Sequence, residues 1–273
     1  MKIVRTVADL RATLAPWRRD KTLALVPTMG ALHKGHVALF DAARLAADVV
    51  VASIFINPSQ FGDARDFSLY PRDEDRDTQI AETSGVDVVF APSADELYPP
   101  AYGTWVAVDG AATGLEGEFR PGHFRGVATI CLKLFNCVAP HLVFFGQKDA
   151  QQVAVIRQVV RDLNLTLDVR VVPIVRDVDG LALSSRNLRL SAEERTRALA
   201  IPRALQAALS AYRERRDPVE AALEVLNGLH VDYVSIADFD GQPTLAIAAR
   251  VGTTRLIDNV VLTPKTSPAR SSS

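Results

Sequence analysis

Only five histidines occur in the 273 residues of the chain, and two of them, His33 and His36, stand three residues apart in LVPTMGALHKGHVALF (25–40). At that spacing two side chains share one face of a helix. Paired imidazoles where an apolar strand gives way to a helix can donate hydrogen bonds to phosphate oxygens as charge develops on them. The helix start adds N–H groups and the positive end of a dipole, both of which attract phosphate. Gly30 and Gly35 allow the backbone to approach a ligand closely. A zinc site would need a further ligand, and none of suitable type lies nearby. The phosphate loop G-x-x-x-x-G-K-S/T is absent. A plain pair of surface histidines after a turn is the bland reading of this stretch taken alone.

Three more stretches carry polar groups at the mouths of apolar runs. FINPSQFG (55–62) offers the amides of Asn57 and Gln60, which can hold the hydroxyls and carboxylate of a small ligand. FFGQKDAQQ (144–152) offers Gly146, Lys148 to neutralise phosphate, Asp149 as an N-cap or ribose acceptor, and Gln152 one turn on. VRDVDGLALSSRN (175–187) sets Ser184, Ser185 and Arg186 side by side, two hydroxyls and a guanidinium suited to phosphate oxygens. Each has a bland counterpart: an Asn-Pro turn, a capped helix with a solvated lysine, a turn before a helix. LEGEFRPGHFRG (115–126) is polar and glycine-rich and carries Arg120, His123 and Arg125.

The elements that must position these groups follow from periodicity. Strands are expected at 22–27, 48–56, 86–92, 141–146 and 166–175. Helices are expected at 35–47, from Asp73 to Ser84, at 124–138 and at 149–162. The β-branched run DVVVASIFI (48–56) reads as a parallel strand covered on both faces. Five alternations of strand and helix predict a doubly wound parallel sheet over 1–175. Beyond that the pattern changes. Ser191 with Glu194 predicts a capping box for a long helix, kinked at Pro202. Asp217 and Pro218 predict another helix start, followed by strands near 231–238, 244–250 and 253–261. A second, smaller α+β C-terminal domain over 176–262 results, with a disordered polar tail at 263–273.

The totals exclude several classes. With 48% hydrophobic and 23% charged residues the composition is that of a soluble globular protein. The net charge of −1 provides no global field for nucleic acid or membrane. No apolar run reaches the roughly 18 residues of a membrane span, and the start has no signal-peptide core. Cys131 and Cys137 read as small core residues in a reducing cytoplasm.

HKGH after an apolar strand resembles the H-x-G-H motif of the nucleotidylyl-transferase superfamily, which shares its fold with class I aminoacyl-tRNA synthetases. The fuller PTMGALHKGH resembles the pantothenate synthetase family, ligases that join pantoate and β-alanine. FINPSQFG is similar to that family's N-P-x-Q-F. FFGQKDAQQ is similar to F-G-x-K-D-x-Q-Q, with Gln147 where Glu is most common. GLALSSRN is similar to G-L-A-x-S-S-R-N, and 115–126 to the family's mobile gate. The likeness runs from Pro27 to GTTRLIDNV at 252–260.

The resemblance implies a Rossmann-like α/β fold and an ATP site. In the first motif that site would use Pro27, Thr28, Met29, Gly30, His33 and His36. It would continue through Gly146, Lys148 and Asp149, and close with Val175, Leu183, Ser184, Ser185 and Arg186. Gln60, Gln152 and Asn57 would meet pantoate and β-alanine, against an apolar wall from Phe55 and the 127–135 helix. His33, His36, Lys148 and Arg186 would be catalytic, with His36 singled out as proton donor. Arg120, His123 and Arg125 would approach the phosphates. Mg²⁺ would bridge the ATP phosphates, with an aspartate within 73–77 as an open choice of helper.

The implied reaction condenses (R)-pantoate with β-alanine, giving pantothenate, AMP and pyrophosphate through a pantoyl adenylate. A homodimer in the cytoplasm with only small-molecule substrates is also implied. The alternatives are an adenylyltransferase on another small acid, which shares H-x-G-H without needing Gln60 and Gln152, and a non-catalytic nucleotide sensor.

Overall fold

Leu23 and Leu25 face one side of a strand, Ala24 and Val26 the other, and all four are fully buried. Val49 with Val51, and Val50 with Ala52, repeat this in the next strand. Such strands need cover on both faces, which parallel sheets obtain from their crossover helices. The computed structural model, which describes residues 1–62, 64–239 and 241–263, has that form. Residues 264–273, most of the expected disordered tail, lie outside the described residues.

Six parallel strands pair in the order β1-β4-β3-β2-β5-β6. They are β1 (Lys2–Val4), β2 (Leu23–Thr28), β3 (Val49–Ile54), β4 (Val88–Phe90), β5 (Leu142–Gly146) and β6 (Asp168–Val172). The edge strand β1 was not among the five expected: it buries only Val4, with Lys2 and Ile3 exposed, so it lacks the apolar run that marks the equally short β4. β6 stops earlier than the expected 175, because Pro173 has no N–H to continue the ladder.

Helix α1 (Val7–Leu14) buries Leu10 and Leu14 on one face of the sheet. α2 (Lys34–Ala46) lays Leu39, Phe40 and Ala43 on the other. The short α3 (Ala64–Ser68) precedes α4 (Glu74–Thr83), which is capped by Asp73 accepting from Arg76 N–H at 3.1 Å. After the single turns α5 (Ala94–Leu97) and α6 (Glu116–Phe119) comes α7 (His123–Val138), the most buried helix. Its Val127, Ile130, Leu134 and Phe135 join the core with Cys131, as the apolar stripe requires. α8 (Ala150–Asp162) adds Val153 and Ile156 to that core. Asp149 stands at its N-cap position but makes no side-chain cap bond, so the expected capping role is not realised.

The described residues form two compact units: those of Met1–Val175 with Leu183–Ser185, and those of Arg176–Ala182 with the described residues from Arg186 onward. In the second unit Ser191 and Glu194 form the expected capping box at α9 (Ala192–Ala198). The expected single kinked helix is two helices, since α10 (Ala200–Arg213) starts afresh after Leu199. Pro202 sits in the first turn of α10, where its missing N–H costs nothing; in a continuous helix its ring would meet the carbonyl of Ala198. Asp217 caps α11 (Pro218–Val225) through Val219 N–H at 2.8 Å and Glu220 N–H at 3.2 Å. An antiparallel sheet of β7 (His230–Asp238), β8 (Pro243–Val251) and β9 (Thr254–Val261) completes this unit. Its core gathers Ile201, Leu205, Leu226, Leu245 and Ile247.

Candidate active site

Strand order in the large sheet reverses at β2, which has β3 on one side and β5 on the other. At such a switch point the crevice beyond the carboxyl ends of the strands receives ligands. The loops leaving β2, β3 and β5 are 29–33, 55–60 and 147–149. Three of the polar stretches therefore emerge from three adjacent strands.

The β2 loop turns sharply. Gly30 has φ +76° and Ala31 φ +50°. The buried carboxylate of Asp77 on α4 accepts from Ala31 N–H and Leu32 N–H, each at 2.7 Å. A Cβ on Gly30 would come within 2.7 Å of Asp77 Oδ2, so glycine is required there. Thr28 Oγ donates to Ser53 O at 2.6 Å and accepts from Gly30 N–H at 3.2 Å. Asp73 and Asp77, considered as helpers for a metal, are thus engaged by backbone N–H groups.

His33 is the N-cap of α2, with Nδ1 accepting from Gly35 N–H at 3.1 Å. His36 Nδ1 accepts in return from His33 N–H at 3.2 Å. Both Nδ1 atoms are acceptors, which leaves the proton of each neutral ring on Nε2. The ring centroids are 4.2 Å apart. Burial, then neighbouring Lys148, lowers His33 to about 4; burial, then His33 and Lys148, lowers His36 to about 3. At neutral pH the pair therefore offers neutral Nε2–H donors. Gly35 N–H and His36 N–H are already taken by His33, so the helix start is less open to phosphate than expected.

Beyond β5, Lys148 lies 3.8 Å from Asp149 and close enough to both histidines to shift them. A Cβ on Gly146 would meet no atom of the chain within 4 Å, so packing is not what requires glycine there. Gln152 is half-buried in the first turn of α8. Its neighbour Gln151, absent from the expected set, is buried and holds the gate segment. It accepts from Glu116 N–H at 2.9 Å and donates to Ala111 O at 3.1 Å and Gly114 O at 3.1 Å.

Beyond β3, Asn57 and Gln60 are buried, and Asn57 Nδ2 donates to Gln60 Oε1 at 2.9 Å. Gln60 Nε2 lies 3.1 Å from Met29 Sδ, which joins the β3 loop to the β2 loop. His123, at the start of α7, contacts Gln60 O through Nδ1 at 2.9 Å and Arg120 through Nε2 at 3.1 Å. Arg120 pairs with the buried Glu116 at 3.7 Å. Burial and Arg120 bring His123 down to about 4. Arg125 instead stacks over Trp105, its guanidinium 4.7 Å from the ring centre.

Leu183 N–H donates to Val175 O at 3.0 Å, closing a hairpin around Gly180 (φ +92°). Leu183 Cβ is 3.9 Å from the position a Cβ on Gly35 would take, which brings Leu183 and Val175 beside the start of α2. Ser184 and Ser185 belong to the same unit. Arg186 belongs to the second unit, in the 3-10 turn Ser185–Arg189.

Imidazole donors, a lysine and buried amides gather at the switch point of a doubly wound sheet, which makes this an α/β protein with a polar crevice at its strand ends. The family model for pantoate-beta-alanine ligase matches residues 2–261. The pantothenate synthetase of Geobacter sulfurreducens is 48% identical over 96% of this chain and 99% of that protein. That of Roseiflexus castenholzii is also 48% identical, with the same coverage. The crystal structure of pantothenate synthetase from Thermus thermophilus superposes with TM-score 0.91 at 42% identity, covering 97% of this chain and 100% of that one. The pantoate-beta-alanine ligase of Francisella tularensis, solved with beta-gamma ATP and beta-alanine, gives TM-score 0.85 at 33% identity over 96% of this chain and 98% of that one. The chain belongs to the pantoate-beta-alanine ligase family.

Proposed function

We propose that the protein condenses (R)-pantoate with β-alanine at the expense of ATP, through a pantoyl adenylate. The observation that carries this reading is the meeting of His33, His36, Lys148 and Gln60 on the loops after β2, β5 and β3. In the first step an oxygen of the acid's carboxylate attacks the α-phosphorus in line and pyrophosphate leaves. In the second the free amine of β-alanine attacks the acyl carbon, AMP leaves with the bonding electrons, and the nitrogen gives up a proton.

No covalent nucleophile is required of the protein; it positions the reactants and stabilises charge. The Nε2–H groups of His33 and His36 donate to phosphate oxygens, and a neutral imidazole becomes more basic as those oxygens gain charge. The resemblance singles out His36 as the proton donor; its burial keeps it neutral at rest, so its part begins as an Nε2–H hydrogen-bond donor to the phosphate. Lys148 offsets the charge of the departing pyrophosphate, and Arg186 is the other cation assigned to the phosphates by the resemblance. Val175, Leu183 and the Pro27–Gly30 turn would border the nucleotide. Asp149, half-exposed, would accept from the ribose. Gln60 and Gln152 would hold the acid.

Mg²⁺ would be held by phosphate oxygens of the nucleotide, keeping several waters as magnesium commonly does. There it would neutralise phosphate charge. The reading also includes a homodimer, testable by light scattering, and a cytoplasmic setting. No helix among the described residues is long and apolar enough to cross a membrane.

The test is pyrophosphate release from ATP and Mg²⁺ with D-pantoate, with and without β-alanine, followed by mass spectrometry. Release should need pantoate, and pantothenate with AMP should appear only when β-alanine is added. A stable adenylylated product would favour the adenylyltransferase. No pantoate-dependent release from folded protein would overturn the substrate assignment.

A further inference from the structure

Tyr98 lies outside every stretch that the sequence singles out, after α5, yet its hydroxyl enters the network beneath Gln60. Tyr98 Oη donates to Asn57 Oδ1 at 2.9 Å, across 41 residues of chain. Ser59 Oγ donates to the same oxygen at 2.9 Å, and Ser59 N–H at 3.4 Å. On its other side Asn57 Nδ2 donates to Gly126 O at 3.2 Å. A backbone N–H can only donate and a carbonyl can only accept, so the Asn57 amide has one orientation that satisfies its neighbours. Its remaining hydrogen then points at Gln60 Oε1, 2.9 Å away. Gln60 has its oxygen occupied and keeps its Nε2 hydrogens to offer. The thioether of Met29, 3.1 Å from that nitrogen, is a weak acceptor that a substrate oxygen would outcompete.

We propose that Tyr98 is a positioning residue for acid recognition: Ser59 N–H and Gly126 O decide which way round the Asn57 amide stands, and the Tyr98 hydroxyl holds it in place, so that Gln60 presents an N–H donor to an acceptor oxygen on the acid. The ring is well held for this task. It stacks with Trp105 at 6.1 Å and meets Tyr102 edge-on at 5.0 Å, with Lys133 Nζ 5.6 Å from its centre. Partial burial raises the phenol above its usual range, so it stays protonated and a donor. Gly126 keeps the other side tight, since a Cβ there would lie 2.4 Å from Ser59 O. The inference rests on Gln60 meeting the acid, as proposed above.

The experiment compares the intact enzyme with Tyr98→Phe, Gln60→Ala and the double variant by steady-state pyrophosphate release. Tyr98→Phe keeps the ring and removes one neutral hydrogen bond, so the pantoate KM should rise about three- to tenfold. The ATP KM and kcat should stay within about twofold, a split that general loosening of the fold would not give. The double variant should match Gln60→Ala within about twofold, because Tyr98 acts only through Gln60. An unchanged pantoate KM in Tyr98→Phe, an equal rise in ATP KM, or full additivity in the double variant overturns the proposal. An unchanged pantoate KM in Gln60→Ala overturns instead the reading on which it rests. If Tyr98→Phe does not fold, Ser59→Ala removes the companion hydroxyl and is held to the same criteria.

Discussion

Asp77 in the first unit and Asp258 in the second are equally buried, each 2% exposed, and the fold satisfies them in opposite ways. Asp258 receives a bidentate guanidinium, Arg176 at 2.6 and 3.0 Å. Asp232, in the same unit, is met by Arg255 at 2.6 Å and Arg250 at 3.2 Å. Asp77 receives two backbone N–H groups of the β2 loop. An arginine pair cancels charge and ties side chains together. A carboxylate given to amides fixes the course of a loop and leaves neighbouring cations and donors for other work. Asp258 and Asp232 thus serve cohesion in the second unit, while Asp77 shapes the crevice at the strand ends of the first.

Removing Asp77 should cost most. Asp77→Ala strands two buried N–H groups at about 1–3 kcal/mol each, read by denaturant unfolding, and should also abolish turnover by releasing the loop. Asp77→Asn should recover only part, since its NH₂ would face an N–H; full recovery would show that charge and dual acceptance are unnecessary.

Next come the groups assigned to phosphate. Lys148→Ala and His36→Ala should fold yet turn over at least about 100-fold more slowly, the scale of about 2.7–4 kcal/mol for a lost transition-state donor. Near-normal turnover in either would remove the role given to it.

Asp258→Ala sharpens the contrast from the other side. Breaking a buried pair costs about 3–5 kcal/mol, and the lower end is expected because Arg176 is one-third exposed. Its folded fraction should keep pantoate-dependent pyrophosphate release within several-fold. A collapse of activity at full folding would dissolve the distinction between the two carboxylates.

Acid should act mainly on the first unit. His33, His36 and His123 are lowered to about 4, 3 and 4, below the ordinary value of about 6.5. Between those values the unfolded chain binds protons that the folded chain does not, so stability falls as pH drops from about 6.5 toward 4. Melting temperatures from pH 7 to pH 4 should show it, and His36→Gln should flatten the slope. The smallest effect belongs to the thiols. Burial pushes Cys131 up to about 12 and raises Cys137, so neither should react with a thiol reagent at pH 8 until the chain unfolds.

Legibility from sequence followed the range of the interactions. Five strands of the large sheet were readable because β-branched runs and Gly or Pro punctuation are local; β1 was not, because it buries only Val4 beside exposed Lys2 and Ile3, whereas the equally short β4 is buried at all three residues. The Ser191 and Asp217 caps were readable for the same reason, acting within four residues. Asp149 shows the limit: its type suits a cap, but a preceding 3-10 turn alters the approach of the chain. The resemblance pointed to Asn57 as a ligand group, yet its hydrogen bonds go to Gln60, Gly126, Ser59 and Tyr98.

Neighbours along the chain were enough to dictate the alternation of elements and the chemistry held in each loop. The wiring among those loops came only with folding: Asp77 with Ala31 and Leu32, Tyr98 with Asn57, His123 with Gln60, Gln151 with Glu116. Those partners lie 35 to 63 residues apart, and strand order selects them. No local pattern encodes such pairings, because the cost of an unpaired polar group arises only once packing has removed water from around it.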